Sequence, residues 1–247
     1  MNMNSPQFRI FPSAEATAAA VANYLAQALK NQPRLRLGLA TGNTFVPIYA
    51  ALVELYNAGG FSFAEVMSFN LDEYIGLSKD HPASFSAYME RHLFAHVDLP
   101  AGKGLLPGVE SDIEAASRDY EAAIASGGID IQVLGIGRNG HIGFNEPGSP
   151  FESRTRKVEL TALTREANKG DFPPGETVPP SAVTMGIGTI LDARQIILVA
   201  IGASKAQALQ AAFQSVPNPD CPASALQAHA NVLIFCDEAA ASTMRAS

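Results

Sequence analysis

Four short stretches of this 247-residue chain hold residue types that do chemistry. In Phe69-Asn70-Leu71-Asp72-Glu73-Tyr74, two carboxylates follow directly on an apolar run. A carboxylate where a buried strand ends is a candidate general base, because partial burial lifts its pKa towards neutrality. Adjacent side chains point in different directions, so one of the pair faces a site. The same string also reads as a helix cap followed by an acidic first turn. In Gly135-Ile136-Gly137-Arg138-Asn139-Gly140-His141, an imidazole stands in a Gly-rich turn, with Glu146 nearby to orient it or raise its pKa. A His and a Glu in an irregular loop are poor core packing, which favours a functional pair. The string also matches G-x-G-x-x-G, with Glu159 downstream at roughly the 20-residue offset of a dinucleotide fingerprint. That fingerprint needs a helix beginning inside it to receive a pyrophosphate, and Ile142-Gly143-Phe144-Asn145-Glu146-Pro147-Gly148 is not helical. No nucleotide cofactor is expected.

The other two stretches suit an anion. Thr41-Gly42-Asn43-Thr44 and Gly202-Ala203-Ser204-Lys205 each follow an apolar run and lead into a helical pattern. Free N–H groups and the positive end of the dipole at a helix start make a seat for phosphate. An ordinary βα turn capped by Thr44, and a solvated Lys205, are the bland alternatives. A Lys in a first helical turn is unfavourable against the dipole, which makes better sense if an anion sits there. The first turn is not a P-loop, because no Lys follows its glycine. His92 and His96 have metal-ligand spacing but lack the HExxH pattern, and Cys221 and Cys236 are not spaced as zinc ligands. No metal is expected. The G-x-S-x-G elbow of a serine hydrolase is absent.

These groups need a frame that brings them to one place. Strand-length apolar runs at residues 8–11, 35–40, 66–71, 129–136, 195–201 and 232–236 alternate with helical patterns at 13–30, 44–57, 84–96 and 112–126. Ser13, Ser84, and Ser111 or Asp112 are the expected helix caps. The runs at 195–201 and 232–236 are continuously apolar, as strands buried on both faces are. Strand–helix alternation implies a single α/β domain spanning 1–247, Rossmann-like, with three layers: a mostly parallel sheet and helices on both faces. Ligands in such folds bind beyond the carboxyl ends of the strands, where all four stretches fall. The Pro/Gly-rich segment 169–180 reads as a surface loop or a lid.

Composition closes off other classes. The chain is 47% apolar and 17% charged, with 17 Lys+Arg against 24 Asp+Glu, a net charge of −7 that argues against a nucleic-acid or anionic-membrane binder. No apolar stretch approaches the ~18 residues that span a bilayer, and the N-terminal MNMNSPQFRIF lacks the pattern of a signal peptide. A cytoplasmic protein is expected.

Laid end to end, several strings resemble the glucosamine-6-phosphate deaminases of the glucosamine/galactosamine-6-phosphate isomerase family. They are LGLATGNT at 37–44, MSFNLDEYIGLSKDHPASF at 67–85, LGIGRNGHIGFNEPGSPFESRTR at 134–156, AVTMGIGTILDAR at 182–194, GASKA at 202–206 and PASALQAH at 222–229. The resemblance implies conversion of glucosamine 6-phosphate to fructose 6-phosphate and ammonia, without redox step or organic cofactor. It implies Asp72 as the base that moves a proton from C2 to C1, and His141, tuned by Glu146, as the ring-opening group. Gly42, Asn43, Thr44 and Lys205 would hold the phosphate.

Three positions depart from the family pattern. Asn139 stands where many members have Asp beside the catalytic His. Gly170 stands where many have a phosphate-binding Arg, with Lys169 as the substitute next to it. Ser149 and Arg156 match positions of an allosteric site in hexameric members, but Val158 replaces a basic residue there. Weak or absent activation by N-acetylglucosamine 6-phosphate and a monomer or small homo-oligomer are therefore expected. The rival readings are a galactosamine-6-phosphate isomerase–deaminase, a 6-phosphogluconolactonase and a non-catalytic sugar-phosphate sensor. Joint retention of Asp72, His141 and Glu146 argues against the sensor, which needs no base.

Overall fold

The computed structural model describes residues 6–110 and 112–244. Ser111, one of two candidate caps, and residues 1–5 of the segment read for a leader lie outside the described residues. Ten strands form: β1 (Gln7–Phe11), β2 (Arg36–Leu39), β3 (Met67–Asn70), β4 (Asp72–Tyr74), β5 (Gly104–Leu105), β6 (Ile131–Gly135), β7 (Arg156–Glu159), β8 (Ser181–Thr184), β9 (Gln195–Ala200) and β10 (Val232–Asp237). The helices are α1 (Ala14–Asn31), α2 (Val46–Asn57), α3 (Phe85–His92), α4 (Ile113–Ala125), α5 (Ala162–Asn168), α6 (Ile187–Leu191) and α7 (Ala206–Phe213). Ser13, Ser84 and Asp112 each accept a backbone N–H three residues on, capping α1, α3 and α4.

Seven strands pair in parallel in the order β1-β10-β9-β6-β2-β3-β5. From β2 the chain adds β3 and β5 on one side; from β6 it adds β9 and β10 on the other. The loops leaving β2 and β6 therefore diverge and open a crevice at the carboxyl ends. Successive residues of β9, Ile196 to Ala200, are all buried, so both faces of the sheet are covered. The α/β expectation holds.

Two boundaries differ from the sequence reading. The helix expected over 84–96 breaks at Leu93, which leaves helical geometry (φ −142°) to bury its side chain, and a 3₁₀ turn covers Phe94–His96. The strand expected over 66–71 leaves the main sheet at its end. The Leu71 N–H still reaches the Leu39 carbonyl (3.2 Å), but the Leu71 carbonyl accepts from Met185 N (2.6 Å). The chain thus passes into a second, antiparallel sheet, β4-β8-β7, which the sequence reading lacked. A small core of Tyr74, Phe144, Leu160, Phe172, Val178 and Ala182 backs it. Phe172 and Val178 anchor the 169–180 segment in that core, so it is more than a free surface loop. Among the described residues, no helix is long and apolar enough to cross a membrane.

Candidate active site

Asp72 opens β4 and pairs in register with Thr184 of β8. It is 7% exposed, and among the described residues no hydrogen bond or ion pair reaches its carboxylate. Burial first, and the neighbouring charge of Glu73 second, push its pKa up to about 8. Glu73 has the opposite surroundings. It accepts three backbone N–H groups, from Tyr74 (2.9 Å), Phe85 (2.9 Å) and Ser86 (2.8 Å), the last two at the start of α3. Burial raises its pKa, and the three N–H bonds pull it back. Glu73 is a structural clasp on a helix end, while Asp72 is left without a partner.

The loop after β6 docks beside Asp72. Phe144 N–H donates to the Thr184 hydroxyl (3.1 Å), and a Cβ on Gly143 would lie 3.4 Å from Oδ2 of Asp72. Gly143 also adopts φ +56°, so this approach is one that glycine makes without strain. Upstream, the imidazole of His141 lies where a Cβ on Gly137 would overlap it. His141 Nδ1 faces Glu146 Oε1 at 3.6 Å, an ion-pair distance longer than a hydrogen bond. Glu146 also accepts from the Thr164 hydroxyl and from Asn139 Nδ2 (2.8 Å), while Asn139 Oδ1 accepts the His141 N–H (3.2 Å). Burial pushes the Glu146 pKa up, but His141, Thr164 and Asn139 outweigh it and hold it at about 2. Glu146 is therefore a fixed negative charge beside the ring. Asn139 acts on Glu146 and the loop, not on the ring directly. Thr164 of α5 is a participant that sequence reasoning missed, since nothing in its local string marks it.

The two anion turns stand on the main sheet. α2 has no side-chain cap, Thr44 included, so the N–H groups at its start face outward from the Gly42–Thr44 turn. Gly42 donates no side chain but its carbonyl accepts from Phe45 N (2.9 Å) and from the Tyr88 hydroxyl (2.9 Å), fixing the turn. After β9, a 3₁₀ turn (Ala203–Lys205) carries Lys205 into α7. Asp237 at the end of β10 grips that turn, both carboxylate oxygens accepting Gly202 N–H at 3.0 Å. Burial first, then the charge of Arg138, lowers the Lys205 pKa. Lys169 lies in a 3₁₀ turn after α5, exposed, with its ammonium 3.8 Å from Glu166; its interactions do not reach either anion turn. A Cβ on Gly170, beside it, would meet nothing within 4 Å.

Arg156 lines a separate cavity of about 710 Å³ with Ser117, Arg118, Glu121 and Arg154, and its guanidinium donates to Asn145 (2.9 Å). Val158 packs against the small core. His92 stacks on Tyr88 (4.5 Å), and His96 is hydrogen-bonded to the Arg91 carbonyl (2.9 Å). Among the described residues, no group of three His, Cys, Asp or Glu could hold a metal ion.

A buried, unpaired carboxylate and an imidazole–carboxylate pair, at the same carboxyl edge of the strands as two anion turns, suit acid–base work on a phosphorylated small molecule. Comparison with known proteins points the same way. The family model for glucosamine-6-phosphate isomerases/6-phosphogluconolactonase matches residues 12–235. A glucosamine-6-phosphate deaminase of Rhodopirellula baltica is 48% identical over 244 residues, 98% of this chain and 97% of that one. Another from Shewanella loihica is 51% identical over 225 residues, covering 90% of this chain and 84% of its own. A solved structure described as a monomeric glucosamine-6-phosphate deaminase superposes with a TM-score of 0.92 at 42% identity, covering 96% of this chain and 99% of that one.

Proposed function

The chain belongs to the family of glucosamine-6-phosphate isomerases and 6-phosphogluconolactonases, and from that premise we propose that it converts glucosamine 6-phosphate to fructose 6-phosphate and ammonia. The observation that carries this reading is the unpaired, buried carboxylate of Asp72 beside the loop that carries His141.

The phosphoryl group sits on the N–H groups of the Gly42-Asn43-Thr44 turn and on Lys205, holding the sugar so that C1 and C2 reach Asp72. Lys169 can add charge only from the 169–180 segment. His141 opens the ring. A proton on Nδ1, facing the ionised Glu146, leaves Nε2 free to take the C1 hydroxyl proton and return it to the ring oxygen as the C1–O5 bond breaks. Asn139 keeps Glu146 in place for this step. Asp72, ionised, then removes the C2 proton of the open aldose, giving an enolamine. The same carboxyl delivers a proton to C1, leaving an imine at C2. Water adds to the imine carbon and ammonia departs, so substrate and one water yield ketose and ammonia. A carboxyl with a pKa near 8 suits this shuttle, because it both accepts and returns a proton near neutrality. Positioning two adjacent carbons over one oxygen supplies the rest of the rate.

We propose further that the protein is cytoplasmic, acts as a monomer and responds weakly or not at all to N-acetylglucosamine 6-phosphate. The monomeric state of the superposed relative supports the second point. The third rests on Val158, turned to the core, and on Arg156, engaged by Asn145. The test is turnover measured side by side: release of ammonia and ketose 6-phosphate from glucosamine 6-phosphate and from galactosamine 6-phosphate, and release of acid from 6-phosphogluconolactone. Turnover of the first at least tenfold above the others is expected. Preference for the lactone, or for the galacto epimer, would overturn the assignment.

A further inference from the structure

We propose that Arg138 is a second cation of the phosphate subsite, acting with Lys205 on one dianionic phosphoryl group. This rests on the sugar-phosphate reading above and adds a residue to it.

The placement follows from strand order. β6 lies between β9 and β2, so the turn that leaves β6 stands between the Lys205 turn and the Gly42–Thr44 turn. That turn is tightly closed: Gly140 N–H donates to the Gly137 carbonyl (3.0 Å), and Gly137 N–H to the His141 carbonyl (2.9 Å). Arg138 is therefore held at the tip of a short rigid turn and is exposed.

Among the described residues its charge has no counterpart. Among the described residues, neither Arg138 nor Lys205 makes a side-chain hydrogen bond or ion pair. Arg34 pairs with Glu65, Arg154 with Asp192, Arg194 with Asp130 and Lys169 with Glu166. Among the same residues Lys30, Lys79, Lys103 and Arg165 are exposed and unbonded too, so what sets Arg138 apart is the half-buried Lys205 beside it. Arg138 is near enough to Lys205 for its charge to depress the lysine's pKa. Two like charges held together without a carboxylate repel each other, and the repulsion is relieved when a doubly charged anion lies between them. A guanidinium adds what an ammonium lacks, a planar pair of donors matching two phosphate oxygens.

The experiment compares Arg138→Ala, Arg138→Gln and Arg138→Lys with the unmodified protein. The readouts are steady-state ammonia release from glucosamine 6-phosphate and binding of inorganic phosphate by calorimetry. For the Ala and Gln variants, a KM about 10- to 100-fold higher is expected, with kcat within about threefold and phosphate binding weakened in parallel. The Lys variant should fall between, because charge returns without the fork. Unchanged KM and phosphate affinity overturn the proposal. So does a fall in kcat at constant KM, which would make Arg138 a support for His141. If the unmodified protein releases no ammonia, the deaminase reading fails, and phosphate calorimetry still decides the role of Arg138.

Discussion

The large parallel sheet and the small antiparallel one contribute opposite things to the same crevice. The large sheet offers donors and cations: uncapped N–H groups at α2, and Lys205 on a turn gripped by Asp237. The small sheet offers a buried carboxylate that none of the described residues satisfies. The uncapped N–H groups at the start of α2 are stable when empty, because water solvates them. A buried acid with a pKa near 8 is costly when ionised, and Tyr74 and its aromatic neighbours have to support the sheet that holds it. The contrast is sharpest between Asp72 and Glu73, neighbours with zero and three N–H partners. The anion turns thus stand on the large sheet and the C2 base on the small one, with His141 on the loop that joins β6 to β7 between them, and substitutions should separate binding from proton transfer at C2.

The largest separation is expected at Asp72. Asp72→Asn should cut kcat at least a hundredfold, while binding of an unreactive sugar-phosphate analogue, measured by calorimetry, stays within about threefold. Comparable losses in both would make Asp72 a binding residue. His141→Gln should cost roughly 10²-fold on the ring-closed substrate and much less on a ring-opened analogue; equal losses would remove the ring-opening role. On the large sheet, Lys205→Ala should act mainly on KM, by about 10- to 100-fold, because a contact made equally to substrate and transition state leaves kcat alone.

Stability should move the other way at Asp72. Its folded pKa lies above the unfolded value, so the folded state binds the extra proton between about pH 4 and pH 8 and loses stability as pH rises through that window. Asp72→Asn should therefore unfold later than the parent at pH 8, with an advantage that shrinks towards pH 4; denaturant melts at both pH values check this. The smallest effect is expected at Glu146. Its folded pKa of about 2 lies below the unfolded value, so its contribution is present above about pH 4 and lost as pH falls towards 2. Glu146→Gln should cost about 1 kcal/mol at pH 7 and nothing near pH 2.

Much of the large sheet was legible in the sequence, because buried parallel strands are continuous apolar runs bounded by glycine turns. The small sheet was not. Its strands are three or four residues long, and Asp72-Glu73-Tyr74 carries no apolar alternation. The candidate base could be found from its position after a strand, but two of Glu73's three N–H partners lie 12 and 13 residues downstream, beyond any local pattern. Arg138 occupies an unspecified position of the G-x-G-x-x-G string, where attention falls on the glycines and the histidine. Its neighbourhood with Lys205 exists only through strand order.

The central claim is that one carboxylate, left dry and unpaired, is poised as a base near neutral pH. Carbon-13 NMR titration of the aspartate carboxyl groups tests it directly, with the Asp72→Asn spectrum identifying the signal. A midpoint near 8 in the ligand-free protein is the predicted result. A midpoint near 4 would mean that Asp72 is solvated or paired in solution, and would contradict the account.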